Sequence, residues 1–464
     1  MGNNSGNKWL FATDYCCKWI LACTERYGIV KLCGKIVEKG TGYVRNIGKT
    51  ETEKQIHEEY TFARNPLISI IVPVYNVEHE AFKATLESVL AQTYGNWELC
   101  VADGGENKVD AVIDEVMGDD ARIRYVSLEA NLGISGNSNQ ALDVASGEYV
   151  AFLDHDDILE PDALYEAANR IVNYGADMVY TDEDKVSPDL KRYFKPYRKP
   201  DYNKTLLLSN NYICHFCVIN RKIVTEAGGF RSEYDGAQDY DLFLRCVDKC
   251  KVIEHVDKIL YHWKSGENST SGNPFNKQYA FDAGRRALNE YTGDGTVVCE
   301  LDDPGYYRVN LIDVPDVQCV TSYPSYDGKD EDIRAVQADY VILLRTDMKL
   351  SKDFARLAVS RAVLTDADII VPKITAGGRY LYNGIARTGH GYTKSLKGSP
   401  VWFKGDFNMA AVDMEAAVVP RYGIMVKKSA LDKVLDSGDR NLYAHKGSTK
   451  GLKMVYAPEI TVKM

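Results

Sequence analysis

The chain has 464 residues, 45% of them apolar and 26% charged, which is ordinary for a soluble globular protein and leaves room for about three domains of ~150 residues. A formal net charge of −10 excludes nucleic-acid binding by bulk charge. Eleven cysteines, an odd number without a disulfide-like framework, and the lack of an opening signal peptide point to a reducing cytoplasm, and no run approaches the ~18 apolar residues of a transmembrane helix.

Residues 1–65 read as a separate helical segment and linker. WLFATDYCCKWILACTERYGIVKLCGKIVEKG mixes apolar and charged residues at helical spacing. Two readings stand: a helical hairpin packed on the main body, or a segment lying on the inner face of the cell membrane through Trp9, Leu10, Phe11, Trp19, Ile20 and Leu21. Residues 50–64 are polar and connect.

From 66 an α/β alternation begins. LISIIVPVYN (67–76) predicts a strand ending in a turn at 73–76. The spacing over 80–92 predicts a helix with Phe82, Leu86, Val89 and Leu90 on one face. WELCVADGG (97–105) predicts a second strand ending in Asp103, 109–117 a helix, IRYVSL (123–128) a third strand, and 131–146 a glycine-containing turn and helix. Strands alternating with helices predict a mostly parallel sheet.

The next stretch, GEYVAFLDHDDILE (147–160), is the centre of the reading. An apolar run over 149–153 ends in Asp154-His155-Asp156-Asp157. Carboxylates at the C-terminal end of a sheet strand stand where open α/β sheets bind ligands. Crowded like charges need a cation or a proton, and Mg²⁺ or Mn²⁺ beside phosphate would supply the cation. The plainer alternative is an acidic turn in which Asp157 caps a helix over 161–174. Cys214 and Cys217 in YICHFCVI point to opposite faces of a strand, Cys246 and Cys250 share a helix face without a second pair, and all four read as core thiols.

PLISIIVPVYN, WELCVADGG, NLGISGNSNQALDVASGEYVAFLDHDD, GAQDYDLFLR and YHWKSGENSTS, in this order over 66–291, resemble family-two glycosyltransferases. VYTDEDK (179–185) followed by YFKPYRKPDYNKTLLLSNNYICH looks like the branch that builds bacterial surface polysaccharides, including rhamnose-containing ones. The resemblance implies the A-type glycosyltransferase fold, a nucleotide-binding α/β domain. It also implies inverting transfer of a sugar from a nucleoside diphosphate, UDP- or dTDP-linked, to a hydroxyl of a saccharide or lipid-linked saccharide. By the same resemblance Pro73, Tyr75 and Asp103 hold the nucleobase and ribose, with Ala102 where the family usually has another aspartate. Asp154 and Asp156 form the metal and ribose-phosphate motif, and His262 joins the metal. Trp263, Lys264 and Ser269 close over the diphosphate. Asp239, after Gln238, is the catalytic base.

The chemistry asks for the same groups. A sugar hydroxyl is a poor nucleophile and needs a positioned carboxylate. Either Asp239 or Asp241 could instead cap the helix that begins there, but both cannot. TDEDK is either a solvated turn or, through Asp182, Glu183 and Asp184 and together with Gln238, the acceptor side of the site.

After 295 the same features recur. ADYVILLRTDMKL (338–350) echoes GEYVAFLDHDDIL, with Arg345 for Asp154 and Asp347 for Asp156. RYGIMVKKSALDKV echoes HFCVINRKIVTEAG. In the closing stretch Asp439 aligns with Asp239, Asn441 with Asp241, and Lys463 with His262. Residues 66–295 therefore read as the catalytic domain, and 296–464 as a degenerate glycosyltransferase-like domain whose arginine pairs with its surviving aspartate. A sugar nucleotidyltransferase would want a glycine-rich basic loop after the first strand, which VPVYNVEHE does not supply. A noncatalytic carbohydrate-binding protein would show damaged acids in the first half, and those acids are intact.

Overall fold

The computed structural model describes residues 62–265, 278–323, 331–389 and 391–464. The N-terminal segment, apart from 62–65, and Ser269 lie outside them. Strands β1 (Ile68–Val74) and β2 (Trp97–Asp103) are buried along nearly their whole length, as strands covered on both faces must be. Helix α1 (His79–Leu90) packs Phe82, Leu86 and Val89 against Ile68, Ile70 and Val72 on one face. Leu90, expected on that face, is instead 38% exposed. Helix α2 (Asp110–Met117) packs beside α1. Strand β3 (Ile123–Ser127) follows, then α3 (Gly133–Asp143), whose Ala141 covers the opposite face with Ile71. Strand β4 (Tyr149–Phe152), which leads into the acids, pairs parallel to β1, with Ile68 opposite Tyr149.

Strand β5 (Ile158–Leu159), α4 (Ala163–Tyr174), β6 (Met178–Val186), β7 (Tyr193–Tyr197), β8 (Cys217–Asn220), α5 (Gln238–Val247) and β9 (Ile253–Lys264) complete a nine-stranded mixed sheet. Its order is β3-β2-β1-β4-β8-β6-β9-β5, with β7 beside β6. The parallel run β3-β2-β1 is built outward in one direction and β4 is added on the other side of β1. That reversal opens a crevice beyond the ends of β1 and β4. Helix α6 (Gln278–Thr292) packs against α5.

A hairpin of β10 (Thr296–Glu300) and β11 (Tyr307–Leu311) leads into a second sheet. Its elements include β12 (Cys319–Ser322), β13 (Tyr340–Leu343), β14 (Lys349–Leu350), α7 (Phe354–Thr365), β15 (Ile369–Ala376) and β16 (Arg379–Tyr382). Short strands β17 (Arg387–Thr388), β18 (Gly391–Tyr392), β19 (Met414–Glu415) and β20 (Val418–Pro420) precede β21 (Ile424–Lys427), β22 (Asn441–Tyr443) and β23 (Met454–Lys463). The order is β12-β13-β21-β15-β23-β14, with β16 beside β15.

This second sheet repeats β1-β4-β8-β6-β9-β5, with β7 beside β6, and adds β19 beside β23. Each corresponding pair keeps its direction: β1–β4 and β12–β13 are parallel, β4–β8 and β13–β21 antiparallel, and β6–β9 and β15–β23 parallel. Registers agree as well. Met178 lies opposite Ile219 and Ile253, and Ile369 lies opposite Val426 and Met454. Arg345 and Asp347 pair through Nε and Oδ1 at 3.0 Å. Counterparts of β2 and β3 do not occur among the described residues.

The two sheets share one apolar cluster that includes Ile71, Tyr180 and Ile219 of the first and Ile342, Met425 and Val462 of the second. Polar contacts reinforce the join. Asn203 and Glu415 exchange two hydrogen bonds of 2.9 Å, and Tyr197 stacks on Phe407 with centroids 3.7 Å apart.

Candidate active site

The crevice holds a cavity of about 800 Å³. Its lining includes Asp154, Asp156, Gln238, Asp239, Trp263 and Lys264. A smaller neighbouring cavity of about 270 Å³ is lined by Pro73, Tyr75, Asn131, Asn137, Asp154 and Asp156. Pro73 borders both cavities. The turn after β1 is pinned by Asn76, which adopts a positive φ of 48° and accepts from Glu106 N at 3.0 Å. Gly104 allows the neighbouring loop to close in, because a Cβ there would stand 2.8 Å from Asn137 Nδ2.

The acids that follow β4 have separate fates. Burial raises the pKa of Asp156 and the charge of Asp154 raises it further, while His155 and Lys264 oppose the rise. Asp157 is fully buried and caps nothing. Its Oδ2 accepts from the Tyr261 hydroxyl and its Oδ1 from Lys264 N at 2.7 Å, which fixes the end of β9. The following helix has Asp162 at its N-cap.

Neither Asp239 nor Asp241 caps α5, since the N-cap is Ala237. Asp241 is 2% exposed and is gripped by Arg231 and by Arg245 Nη2 at 2.6 Å. Asp239 lies at the cavity. Its Oδ2 accepts from Asn211 Nδ2 at 2.9 Å and its Oδ1 from Tyr240 N at 2.8 Å. Burial raises its pKa, against the pull of His215 and of these hydrogen bonds, and Asp154 adds to the rise.

Several expected site residues lie elsewhere. Asp103 is fully buried and borders neither cavity; its oxygens accept from Gly105 N (2.8 Å), Val109 N (2.9 Å) and Tyr125 (3.0 Å), so it shapes the turn beside the site. Asp182 is buried beneath His255 Nε2 (2.9 Å) and Lys199 N (2.8 Å), and pairs with Arg198 (3.0 Å). Asp184 and His262 are buried together: His262 Nδ1 meets Asp184 Oδ1 at 2.6 Å and Nε2 meets Glu160 Oε1 at 3.0 Å. Burial lowers the pKa of His262, but Asp184 and then Glu160 raise it to a net rise. A ring with both nitrogens so engaged offers no lone pair to a metal, which corrects its expected role. TDEDK is thus interior strand, and of its three acids Glu183 alone stands behind a cavity residue.

That residue is His215, which the sequence reading passed over as part of an apolar strand. It borders the larger cavity, with its ring stacked on Tyr261 (5.2 Å) and beside Trp263 (4.7 Å). Glu183 Oε2 accepts from its backbone N and faces Nδ1 at 3.3 Å. Lys199, fully buried, joins Glu183 at 3.2 Å. A lysine held between Arg198 and Pro200 in a basic run gave no sign of burial.

Asp154 and Asp156 are the residues that could hold a divalent ion. Among the described residues no cluster of three or more His, Cys, Asp or Glu side chains is built for one. Two carboxylates beside a cavity suit Mg²⁺, which takes one or two carboxylates and completes its shell with water and substrate phosphates. The raised proton affinity of Asp156 is the electrostatic counterpart of that fit.

Residues 69–228 match the family model for glycosyl transferase family 2. The chain is 43% identical over 231 residues to the uncharacterised protein y4gI of Sinorhizobium fredii, covering 49% of this chain and 25% of that protein. It is 31% identical over 252 residues to the O-antigen biosynthesis protein RfbC of Myxococcus xanthus, covering 53% of this chain and 20% of that one. The chain thus spans a quarter or less of these relatives' length. With the UDP-Glc:alpha-D-GlcNAc-diphosphoundecaprenol beta-1,3-glucosyltransferase WfgD of Escherichia coli the identity is 31% over 215 residues, covering 45% of this chain and 81% of the relative. With most of that enzyme's length matched, and the acids of β4 beside an α/β crevice, the chain belongs to family 2 of the glycosyltransferases.

Proposed function

We propose that the chain is an inverting, divalent-metal-dependent glycosyltransferase. It moves a sugar from a UDP- or dTDP-linked donor to a hydroxyl of a saccharide or lipid-linked saccharide during synthesis of a cell-surface polysaccharide. The observation that carries this reading is one cavity bordered by Asp154, Asp156 and Asp239, the last with its raised pKa.

The donor's base and ribose fit the smaller cavity beside Pro73 and Tyr75, and its diphosphate reaches Asp154 and Asp156. Bound there, Mg²⁺ or Mn²⁺ would offset the charge of the departing diphosphate. Asp239 accepts the acceptor hydroxyl's proton, and its raised proton affinity makes it a stronger base. The new bond forms at the anomeric carbon on the face opposite the departing oxygen, so a single displacement inverts the centre. Trp263 and Lys264 border the same space, and Gln238 stands next to the base on the acceptor side. The names of RfbC and WfgD, an O-antigen biosynthesis protein and a transferase acting on a lipid-linked sugar, support the acceptor class.

The catalytic unit in this reading is 66–295, and 296–464 is its degenerate copy. The repeated strand order and the Arg345–Asp347 pair support that division. A site at the cytoplasmic face of the membrane agrees with the unpaired cysteines among the described residues; no helix among them is long and apolar enough to cross a membrane.

A panel of nucleotide sugars, each with Mg²⁺ or Mn²⁺, tests the reading by protection against heat unfolding, since a true donor stabilises the fold by mass action. The product's anomeric configuration tests inversion. Absence of protection by every donor in the panel overturns the proposal.

A further inference from the structure

We propose that His215 is the cationic hydrogen-bond donor that holds the departing diphosphate, with Glu183 and Lys199 as the residues that position it. The inference rests on the cavity being a nucleoside-diphosphate-sugar site, and adds to that reading a residue and a role.

The mounting of the ring comes first. Lys199 Nζ donates to the carbonyls of Ile213 (3.0 Å), Cys214 (2.7 Å) and His215 (3.3 Å), so one buried ammonium ties three successive peptides. The same ammonium meets Glu183 Oε2, which in turn faces the backbone N and Nδ1 of His215. One ring face lies on Tyr261, itself fixed by Asp157. The ring is therefore held by charge, hydrogen bonds and stacking before any ligand arrives. Preorganised donors of this kind need no reorganisation when charge develops.

The position of the ring comes second. Nε2 has no hydrogen-bond partner among the described residues, although its ring borders the cavity. An unpartnered donor at a cavity wall is costly unless a ligand or water meets it. Trp263, Lys264, Asp154 and Asp156 border the same cavity. An anion that meets a cationic ring and, through a divalent ion, a pair of carboxylates satisfies both; a neutral sugar ring satisfies neither. Burial pulls the His215 pKa down, but Glu183, the largest opposing cause, then Asp154 and Asp157, push it up to about 9 in the metal-free site.

In the transfer step the bond between the anomeric carbon and the phosphate oxygen breaks and its electron pair stays on that oxygen. The acceptor hydroxyl's proton goes to Asp239. His215 gives up no proton and only donates a hydrogen bond to the diphosphate.

The test measures binding of inorganic pyrophosphate and of UDP, with Mg²⁺, by calorimetry on the full chain. His215→Gln removes the charge. His215→Asn keeps an amide where Nδ1 meets Glu183 and withdraws the donor from the cavity. Melting temperatures show which variants fold. Both variants should bind pyrophosphate about 10- to 100-fold more weakly, the range for a lost charge-assisted hydrogen bond. Glu183→Gln reports the positioning role. The binding form is protonated, so affinity is present below the raised pKa and lost above it, and Glu183→Gln should move that loss to lower pH. The probe's own ionisation is common to both proteins, so the difference between their profiles belongs to His215. Native-like affinity in a folded His215 variant, or an unmoved pH profile in Glu183→Gln, overturns the inference and leaves the reading of the site standing. If the native chain binds neither pyrophosphate nor any UDP-, dTDP- or GDP-sugar, the reading of the site falls and this inference with it.

Discussion

Replacing Asp239 by asparagine separates chemistry from architecture. Asp239 accepts two hydrogen bonds, from Tyr240 N and from Asn211 Nδ2. An asparagine keeps the first through its amide oxygen. The second would set two NH₂ groups face to face, but Asn211 Oδ1 is buried without a partner among the described residues. Turning the Asn211 amide over gives that orphan oxygen a donor and restores the count. With each hydrogen bond worth ~1 kcal/mol and none lost, stability should stay within about 1 kcal/mol. The sign of any change follows from the carboxyl group. Its folded pKa is raised, so its ionised form costs the fold stability above the unfolded value, and the neutral amide lifts that cost at neutral pH. The melting temperature should therefore hold or rise, while transfer falls by ~10²–10⁴-fold. Asp241→Asn makes the same chemical change two residues away with the opposite result. It leaves two guanidinium groups without their shared buried carboxylate, at a cost on the order of 3 kcal/mol, and lowers the melting temperature. The assay pairs transfer to the cognate acceptor with a thermal scan and donor binding. Near-native transfer by Asp239→Asn, with loss confined to Asp241→Asn, would refute the assignment of the base.

Exhaustive chelation should abolish donor binding and transfer, with restoration by Mg²⁺ or Mn²⁺; full activity in the chelated protein counts against the metal site at Asp154 and Asp156. Arg345→Ala and Asp347→Ala should leave transfer largely intact, apart from any stability cost, because that pair is exposed and binds nothing in the proposed reaction; a loss as deep as that from Asp156→Ala would place chemistry in the second sheet. His262 has a raised folded pKa, so its contribution to stability is present below the unfolded value of ~6.5 and is lost as pH rises through the folded one. Melting curves over an alkaline pH series should show that decline in the native chain and a flatter profile in His262→Gln; parallel profiles would contradict a buried imidazolium.

The parallel strands and their helices were legible because apolar runs and helical spacing are properties of neighbouring residues. The repeat was legible in part: Arg345 in place of Asp154 was read from the sequence and the strand registers agree with it, whereas Asn441, aligned with Asp241 of α5, begins β22. The misplaced residues share a different cause. A strand end tells which residues are near the rim but not which way each side chain turns. Asp103 and His262 both stand at strand ends, yet one is taken up by Gly105 N and Val109 N, and the other turns inward between Asp184 and Glu160. TDEDK read as a solvated turn or as the acceptor side because the partners of its acids lie far along the chain, at Lys199, His215, His255 and His262. His215 was missed because YICHFCVI reads as one apolar strand. The chain breaks that strand at Phe216, with a φ of 56°, and β8 begins only at Cys217. A histidine inside an otherwise apolar run was the signal available.

The apolar cluster that runs from Ile71 to Val462 without dividing between the sheets has a thermodynamic consequence. Domains with separate cores melt separately, whereas elements that bury one another's apolar surface lose it together. Heating should give one cooperative heat-absorption peak for the two sheets. A donor seated beyond the ends of β1 and β4 should then raise the melting of a sheet that it never touches. The matched stretch 69–228 is no independent unit in this sense. Cut free at 228, it would lose β9, the neighbour of both β6 and β5, and expose the seam along which the repeated half is joined. The second sheet, whatever it binds, is part of the first one's interior.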